Sequence, residues 1–313
     1  MFKYIVKRLL ISILILFGVS LILYFLVRLM PTDYIDIKFS SQLAQGTITA
    51  EDIQRYKDLY GIGDRGYSFN YRKDVSTVIV ENMWISFGIA FVATILQFLI
   101  AIPLGITSAT HQYSVRDYTV TVLTMLGISL PTYFFGAIVI KLFAVDLGWF
   151  PVSGLLSSGA SYPETFGGQL LRFGDIIHHL ILPIFVSVLL SIGGLMRYTR
   201  TNTLEVLTAD YIRTARAKGL SEKTVVYKHA FRNTLVPLVT MFAGILPGLF
   251  GGMLITEQVF GIDGIGNLAY KALRNGDIPF VMGYNMFLAI LSVIGTLLSD
   301  IMYSVVDPRV KLK

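Results

Sequence analysis

The 313-residue sequence has no cysteine and only four histidines. Disulfides, thiolate metal sites and cysteine nucleophiles are therefore excluded, and His111, His178, His179 and His229 are too scattered to form a metal centre. No G-x-x-x-x-G-K-[ST] run occurs, so the chain cannot cradle nucleotide phosphates in the P-loop manner, and no cofactor is expected. Charge is scarce as well: 15% of residues are charged against 54% hydrophobic, and the mean hydropathy is +0.66. Such a balance belongs in lipid. The net charge of +6 is spread over short segments between apolar runs rather than along one stripe, which argues against a nucleic-acid partner.

About 20 helical residues are needed to cross roughly 30 Å of hydrocarbon, and an ionisable group there is costly. Six windows lack Asp, Glu, Lys and Arg: Leu9 to Val27, Asn82 to Thr110, Tyr118 to Ile140, Ile176 to Met196, Asn233 to Thr256, and Ile278 to Ser299. The expected fold is an all-α integral membrane protein of six transmembrane helices. The first window follows Lys3, Lys7 and Arg8 as a signal peptide would, yet no small-residue cleavage site follows it in "VRLMPTDYIDIK", so it is read as a retained span. Pro131 should kink the third span.

Lys and Arg set the orientation. Three lie before the first span, eight between Arg197 and Arg232, and three after Asp307, all on one side of a six-span chain. Both termini should then be cytosolic. The other side carries Pro31 to Val80, Asp146 to Asp175 and Glu257 to Asp277, where acids equal or outnumber bases. Three parts follow: residues 1–30 as the cytosolic N-terminus and first span, 31–80 as an extracytoplasmic cap or docking surface, and 81–313 as the core with the other five spans and a cytosolic insertion at about 197–235. Within the 31–80 part, "GIGDRGYS" reads as turns.

The longest basic insertion, residues 197–235, lies between the fourth and fifth spans. Its stretch "DYIRTARAKGLSEKTVVYKHAFRN" predicts a short helix over Ala209 to Lys218, with Asp210 at the N-terminal end, Lys218 at the C-terminal end and Gly219 just beyond. Ser221 is placed to cap a second helix. At 100° per residue Tyr211, Ile212, Ala215 and Gly219 share a face, with Arg213 and Arg216 on the neighbouring arc. Composition leaves two readings open: an amphipathic helix lying on anionic membrane lipid, or a helix that docks on a partner.

"DYIRTARAKGLSEKTVVYKHAFRNTLVP" resembles the cytosolic EAA loop of ATP-binding-cassette importer permeases, in the form typical of the oligopeptide, dipeptide and nickel branch. The general pattern is Glu-Ala-Ala, three residues, Gly, then nine residues to Ile-x-Leu-Pro. Aligned on Gly219, this chain has Arg213, Thr214 and Ala215 for the triplet and His229, Ala230, Phe231 and Arg232 for the final four. "RTARAKG" and the "HALRN"-like "HAFRN" are the peptide-branch version. "RLLISILILFGVSLILYFLVRLMP", "SLPTYFFG", "LGWFPVSG", "EQVFGIDGIGNL" and "DPRVKL" are similar to further segments of the B-type subunit, so the resemblance covers essentially the whole chain. The Gly-Asp-Pro usual after the first span is replaced by Thr32, Asp33 and Tyr34, and the first outer loop is shorter than is common. Both departures bear on binding-protein contacts and on substrate class.

The resemblance implies a non-catalytic subunit for peptide import, with nickel chelates or oligosaccharides as the other cargoes of the branch. It implies pairing with a second, similar permease, two cytosolic ATPase subunits below and an extracytoplasmic substrate-binding protein above. The coupling helix over 209–219 would engage an ATPase: Tyr211, Ile212 and Ala215 as an apolar plug, Arg213, Arg216 and Lys218 pairing with acids at its rim, and Gly219 closing the turn. Gln97, Ser129, Glu257 and Asn285 are candidates for the translocation pathway, or equally for interhelical hydrogen bonds. "GIDGIG", from Gly261 to Gly266, mimics a phosphate loop weakly and reads better as turns. A secondary transporter or channel would share the six spans, but would be expected to carry an intramembrane charge as its coupling site.

Overall fold

A computed structural model describes residues 2–28, 34–45, 48–49, 51–53, 55 and 66–306. Lipid offers the backbone no hydrogen-bond partners, so a chain this apolar satisfies its own amides by coiling into helices. Helix α1 spans Phe2–Arg28 and α2 Tyr34–Ala44, and a short antiparallel hairpin pairs β1 (Tyr67–Ser68) with β2 (Lys73–Asp74). Then come α3 (Val75–Thr110), α4 (Val115–Ser129), and α5 (Thr132–Val139), which runs on as a π-helical turn to Asp146. Helix α6 is the longest element, Phe166–Leu207, and α7 is a single short helix, Asp210–Ala217. Beyond it lie α8 (Glu222–Thr224), a π-helical segment (Val225–Ala230), α9 (Phe231–Thr240), α10 (Phe242–Phe250), α11 (Leu254–Val259), α12 (Ile265–Arg274) and α13 (Ile278–Val306).

Among the described residues, α3, α6 and α13 are long and apolar enough to cross a membrane, and the bent pair α4–α5 would make a fourth such span; α1 contributes a shorter apolar stretch, Leu10–Phe25. The third window is a broken helix rather than a kinked one, since α4 and α5 meet at 102°. Proline biases its predecessor away from the helical region, and here Leu130 (φ −86°, ψ 129°) and Pro131 (φ −62°, ψ 133°) are both extended. Two consecutive extended residues redirect the axis, where a single proline inside a helix only bends it. The fifth window is divided among α9, α10 and α11, and the last break falls at Gly252, whose φ of +80° is left-handed.

Helix α3 packs along α6, and α4 closes on α6 where side chains vanish. A Cβ on Gly193 would lie 2.5 Å from the Thr124 carbonyl oxygen, and one on Gly127 would lie 2.7 Å from that of Leu189. Small residues of this kind let helices approach where lipid supplies no hydrophobic drive between them. Ile89, Val139, Leu182, Val186, Phe260 and Ile262 form a core that joins α3, α5 and α6 to the loop after α11. Outside it the usual pattern inverts: Leu14, Phe17, Leu99, Leu123 and Leu171 each expose more than half of their surface. Apolar patches of that extent suit a hydrocarbon environment.

The hairpin is pinned to the corner between α12 and α13. The Ser68 hydroxyl and the Asn70 N–H both donate to Asp277 Oδ2, the latter at 2.9 Å, and the Tyr71 hydroxyl donates to the Leu268 carbonyl at 2.6 Å. Of the predicted "GIGDRGYS" turns, only Gly66 to Ser68 lie within the described residues. The terminal "DPRVKL" lies outside them.

Candidate functional site: an exposed basic helix with a capped turn

Helix α7 starts after Ala209, which is extended and offers no side-chain cap; Asp210 in its first turn and Arg216 in its last oppose the helix dipole. Its C-terminus is a Schellman motif. Gly219 has φ +75°, its N–H donates to the Arg216 carbonyl at 2.9 Å, and the Leu220 N–H reaches back to Ala215 at 3.4 Å. Ser221 then accepts from the Thr224 N–H at 3.3 Å and caps α8, as its position predicts. Across this turn Arg216 grips Glu222 with two bonds, Nη2 to Oε1 at 2.6 Å and Nε to Oε2 at 3.1 Å. The guanidinium holds the Glu222 carboxyl below its ordinary pKa, and the carboxylate raises that of Arg216.

An eight-residue helix has little stability of its own, so its apolar face needs a backing. Ile212 is fully buried and Ala215 nearly so, packed on Val225 and Ala230 from the π-helical segment with Val206 and Leu207 at the edge. This corrects the expected plug: Ile212 and Ala215 serve the chain's own core, and of that trio only Tyr211 faces outward, 46% exposed. Burial also raises the Tyr211 pKa. Tyr211, Arg213, Arg216, Lys218 and Gly219 are exposed, and so are two residues that the sequence pattern did not single out, Leu220 and, on the π-helical segment, Tyr227. The C″ position beside Gly219 was a legible signal for Leu220. Tyr227 depends on how the π-helical segment turns, which periodicity does not report. Arg213 and Asp210 approach to 3.7 Å while both stay largely exposed, which is a weak contact.

The four pathway candidates are not brought together. Gln97 donates to the Ser191 carbonyl on α6 at 3.1 Å, while Ser129 and Asn285 donate to carbonyls of their own helices, Met125 at 2.9 Å and Val281 at 2.7 Å. Glu257 is fully buried and accepts three bonds: from the Ser86 hydroxyl at 2.6 Å, the Met253 N–H at 3.0 Å and the Asn267 N–H at 2.8 Å. The Ile265 N–H in turn donates to Ser86 Oγ at 2.9 Å. The "GIDGIG" segment turns at Gly261, whose φ is +62°, while its last two residues, Ile265 and Gly266, already belong to α12 rather than to a turn; near the start of that helix the Asn267 N–H meets the Glu257 carboxyl.

The chain matches the binding-protein-dependent transport system inner membrane component over residues 101–312, and it belongs to that family. It is accordingly a permease component of ABC importers in a bacterial inner membrane, a subunit that is non-catalytic by itself. Among curated relatives, it is 36% identical to the oligopeptide transport system permease protein AppB of Bacillus subtilis, over 99% of this chain and 100% of that one. It is 33% identical to the di/tripeptide transport system permease protein DppB of Pseudomonas aeruginosa, over 99% of both. In fold it is similar to inward-facing structures of the MetNI methionine ABC transporter, with a TM-score of 0.55 at 18% identity over 74% of this chain and 97% of that chain.

Proposed function

We propose that the chain is one of two membrane subunits of an ATP-powered peptide importer. It crosses the membrane six times, through α1, α3, the bent α4–α5 pair, α6, the broken α9–α10 segment and α13, with both termini cytosolic. Helix α7 is the coupling helix. The observation that carries this reading is the exposed basic face of α7, built on a rigid backing: an apolar underside, a Schellman turn and the Arg216–Glu222 clamp hold Tyr211, Arg213, Lys218 and Leu220 toward a partner. A helix that merely lay on lipid would be expected to turn its apolar residues to the bilayer, and this one turns Ile212 and Ala215 inward.

The partners are a second, similar permease subunit, two cytosolic ATPase subunits and an extracytoplasmic substrate-binding protein. Arg213 and Lys218 suit acidic groups at the rim of an ATPase groove, and Tyr211 and Leu220 suit its apolar floor. Peptide cargo is supported by the names of the relatives. The test is purification of the tagged protein from its native membranes, with identification of co-purifying chains and assay of ATP hydrolysis and uptake for the parent and Gly219→Val. ATPase subunits should accompany the parent, and the variant should insert normally but lose ATP-driven uptake. A polypeptide reproducibly without ATPase partners would point to a channel or secondary transporter.

A further inference from the structure

Seven residues before α6 ends, Arg200 ties three helices together. Its guanidinium forks onto the Asp117 carboxylate, Nε to Oδ1 at 3.0 Å and Nη2 to Oδ2 at 2.9 Å, and Nε also donates to Ser108 Oγ at 3.0 Å. Ser108, near the end of α3, donates its hydroxyl to Asp117 Oδ1, and the Tyr113 N–H donates to Oδ2 at 3.0 Å. Tyr113 adopts φ +62°, a left-handed conformation costly for a tyrosine, at the corner whose amide reaches Asp117. Asp117 is 3% exposed and Ser108 fully buried. By contrast, Arg213 and Arg216 on α7 are exposed.

Asp117 is buried while the Arg200 side chain stays 26% exposed, and taking a carboxylate out of water offsets much of what its ion pair gains, so net stability alone is a weak account of the pair. What it supplies is direction: a bidentate fork holds its partner in one orientation, which neither an apolar contact nor a lysine would do. The residues beside it leave polar atoms to spare. The hydroxyls of Thr199 and Thr203, next to Arg200 and one turn beyond, are buried without a hydrogen-bond partner, which is uncommon inside proteins. The α6 surface around the fork is therefore not closed by hydrogen bonds of its own, and the fork fixes where α6 sits on the α3–α4 corner.

From Arg200 to the end of α6 at Leu207 is about 10 Å of helix, and α7 begins three residues later at Asp210. We infer that Arg200 and Asp117 form the joint that makes the α6 stalk and the α3–α4 corner move as one body, so that displacement of α7 by its partner reaches the spans. This inference rests on the coupling reading of α7. Arg200 is a positioning residue, acting through Asp117 and Ser108.

The test uses the complete importer complex reconstituted in vesicles, with uptake of a labelled peptide and ATP hydrolysis measured on the same sample. The Asp117→Asn/Arg200→Gln double variant removes both charges and leaves neither buried alone. Its ATPase activity should stay within about twofold of the parent while uptake per ATP hydrolysed falls by about tenfold, within the range for residues on a coupling route. Arg200→Lys keeps the charge and loses the fork, and should lower uptake per ATP by about threefold. If the double variant does not assemble, Arg200→Lys decides alone. Parental uptake per ATP in whichever variant decides would overturn the joint while leaving the importer reading intact. Absence of ATP-dependent uptake in the parent complex would overturn both.

Discussion

Two glycines, Gly219 before the broken fifth window and Gly264 after it, show how differently the same residue is used. At Gly219 a Cβ would meet nothing within 4 Å, and the demand is conformational, a φ of +75°. At Gly264 the backbone is ordinary, with φ −80° and ψ 170°, but a Cβ would lie 2.5 Å from Cδ of Glu257. The first glycine turns the chain sharply so that its neighbours stand exposed. The second gives up its side chain so that a carboxylate can be enclosed. A turn built for presentation tolerates bulk at its surface, whereas a turn built for enclosure does not.

The largest effect expected from breaking this contrast is at the enclosed end. Glu257→Ala strands the Ser86 hydroxyl and the Met253 and Asn267 amides in a buried site, and should cost about 3 kcal/mol or more, read as a lower thermal midpoint of the purified complex. Gly264→Ala should cost about 2 kcal/mol through overpacking, and measured in a Glu257→Asp background, itself destabilised, the same substitution should cost much less because the carboxylate is drawn back. Gly219→Ala should cost about 1 kcal/mol, with nothing for a second substitution to relieve, because the strain lies in its own φ. Equal rescue of both alanine variants by neighbouring truncations would erase the distinction.

Charge-free windows located α3, α6 and α13 because lipid penalises ionised side chains wherever they fall along a span. The same windows underestimated α6, whose helix runs from Phe166 to Leu207, well past Ile176 to Met196, because a helix does not end where hydrocarbon ends. The Schellman turn and the Ser221 cap were legible, being local chemistry within a few residues. The inward face of Ile212 and Ala215 was not. Helical periodicity shows which residues share a side but not what lies against it, and here that is Val225 and Ala230. Glu257 was singled out as a polar residue near a span end, yet its role depends on Ser86, 171 residues earlier in the chain. Arg200 likewise meets Asp117 across 83 residues, a pairing that no local pattern marks.

The smallest effect belongs to the clamp across the exposed turn, and pH separates it from the glycine strain beside it. Glu222 has its folded pKa lowered, first by the hydrogen bonds from Arg216, so its contribution is fully present above the ordinary carboxylate range. It is lost as pH falls through the lowered value, when the carboxylate protonates and the guanidinium loses its anionic partner. Both side chains are substantially exposed, at 44% and 61%, so solvent screening holds the contribution to about 0.5 kcal/mol or less. Glu222→Gln should therefore lower the thermal midpoint slightly at neutral pH, and the difference from the parent should vanish in acid. The Gly219→Ala deficit involves no titrating group and should persist at both pH values. If the two deficits instead faded together in acid, the strain assigned to Gly219 would be electrostatic, and the turn would be held by its ion pair rather than by its backbone.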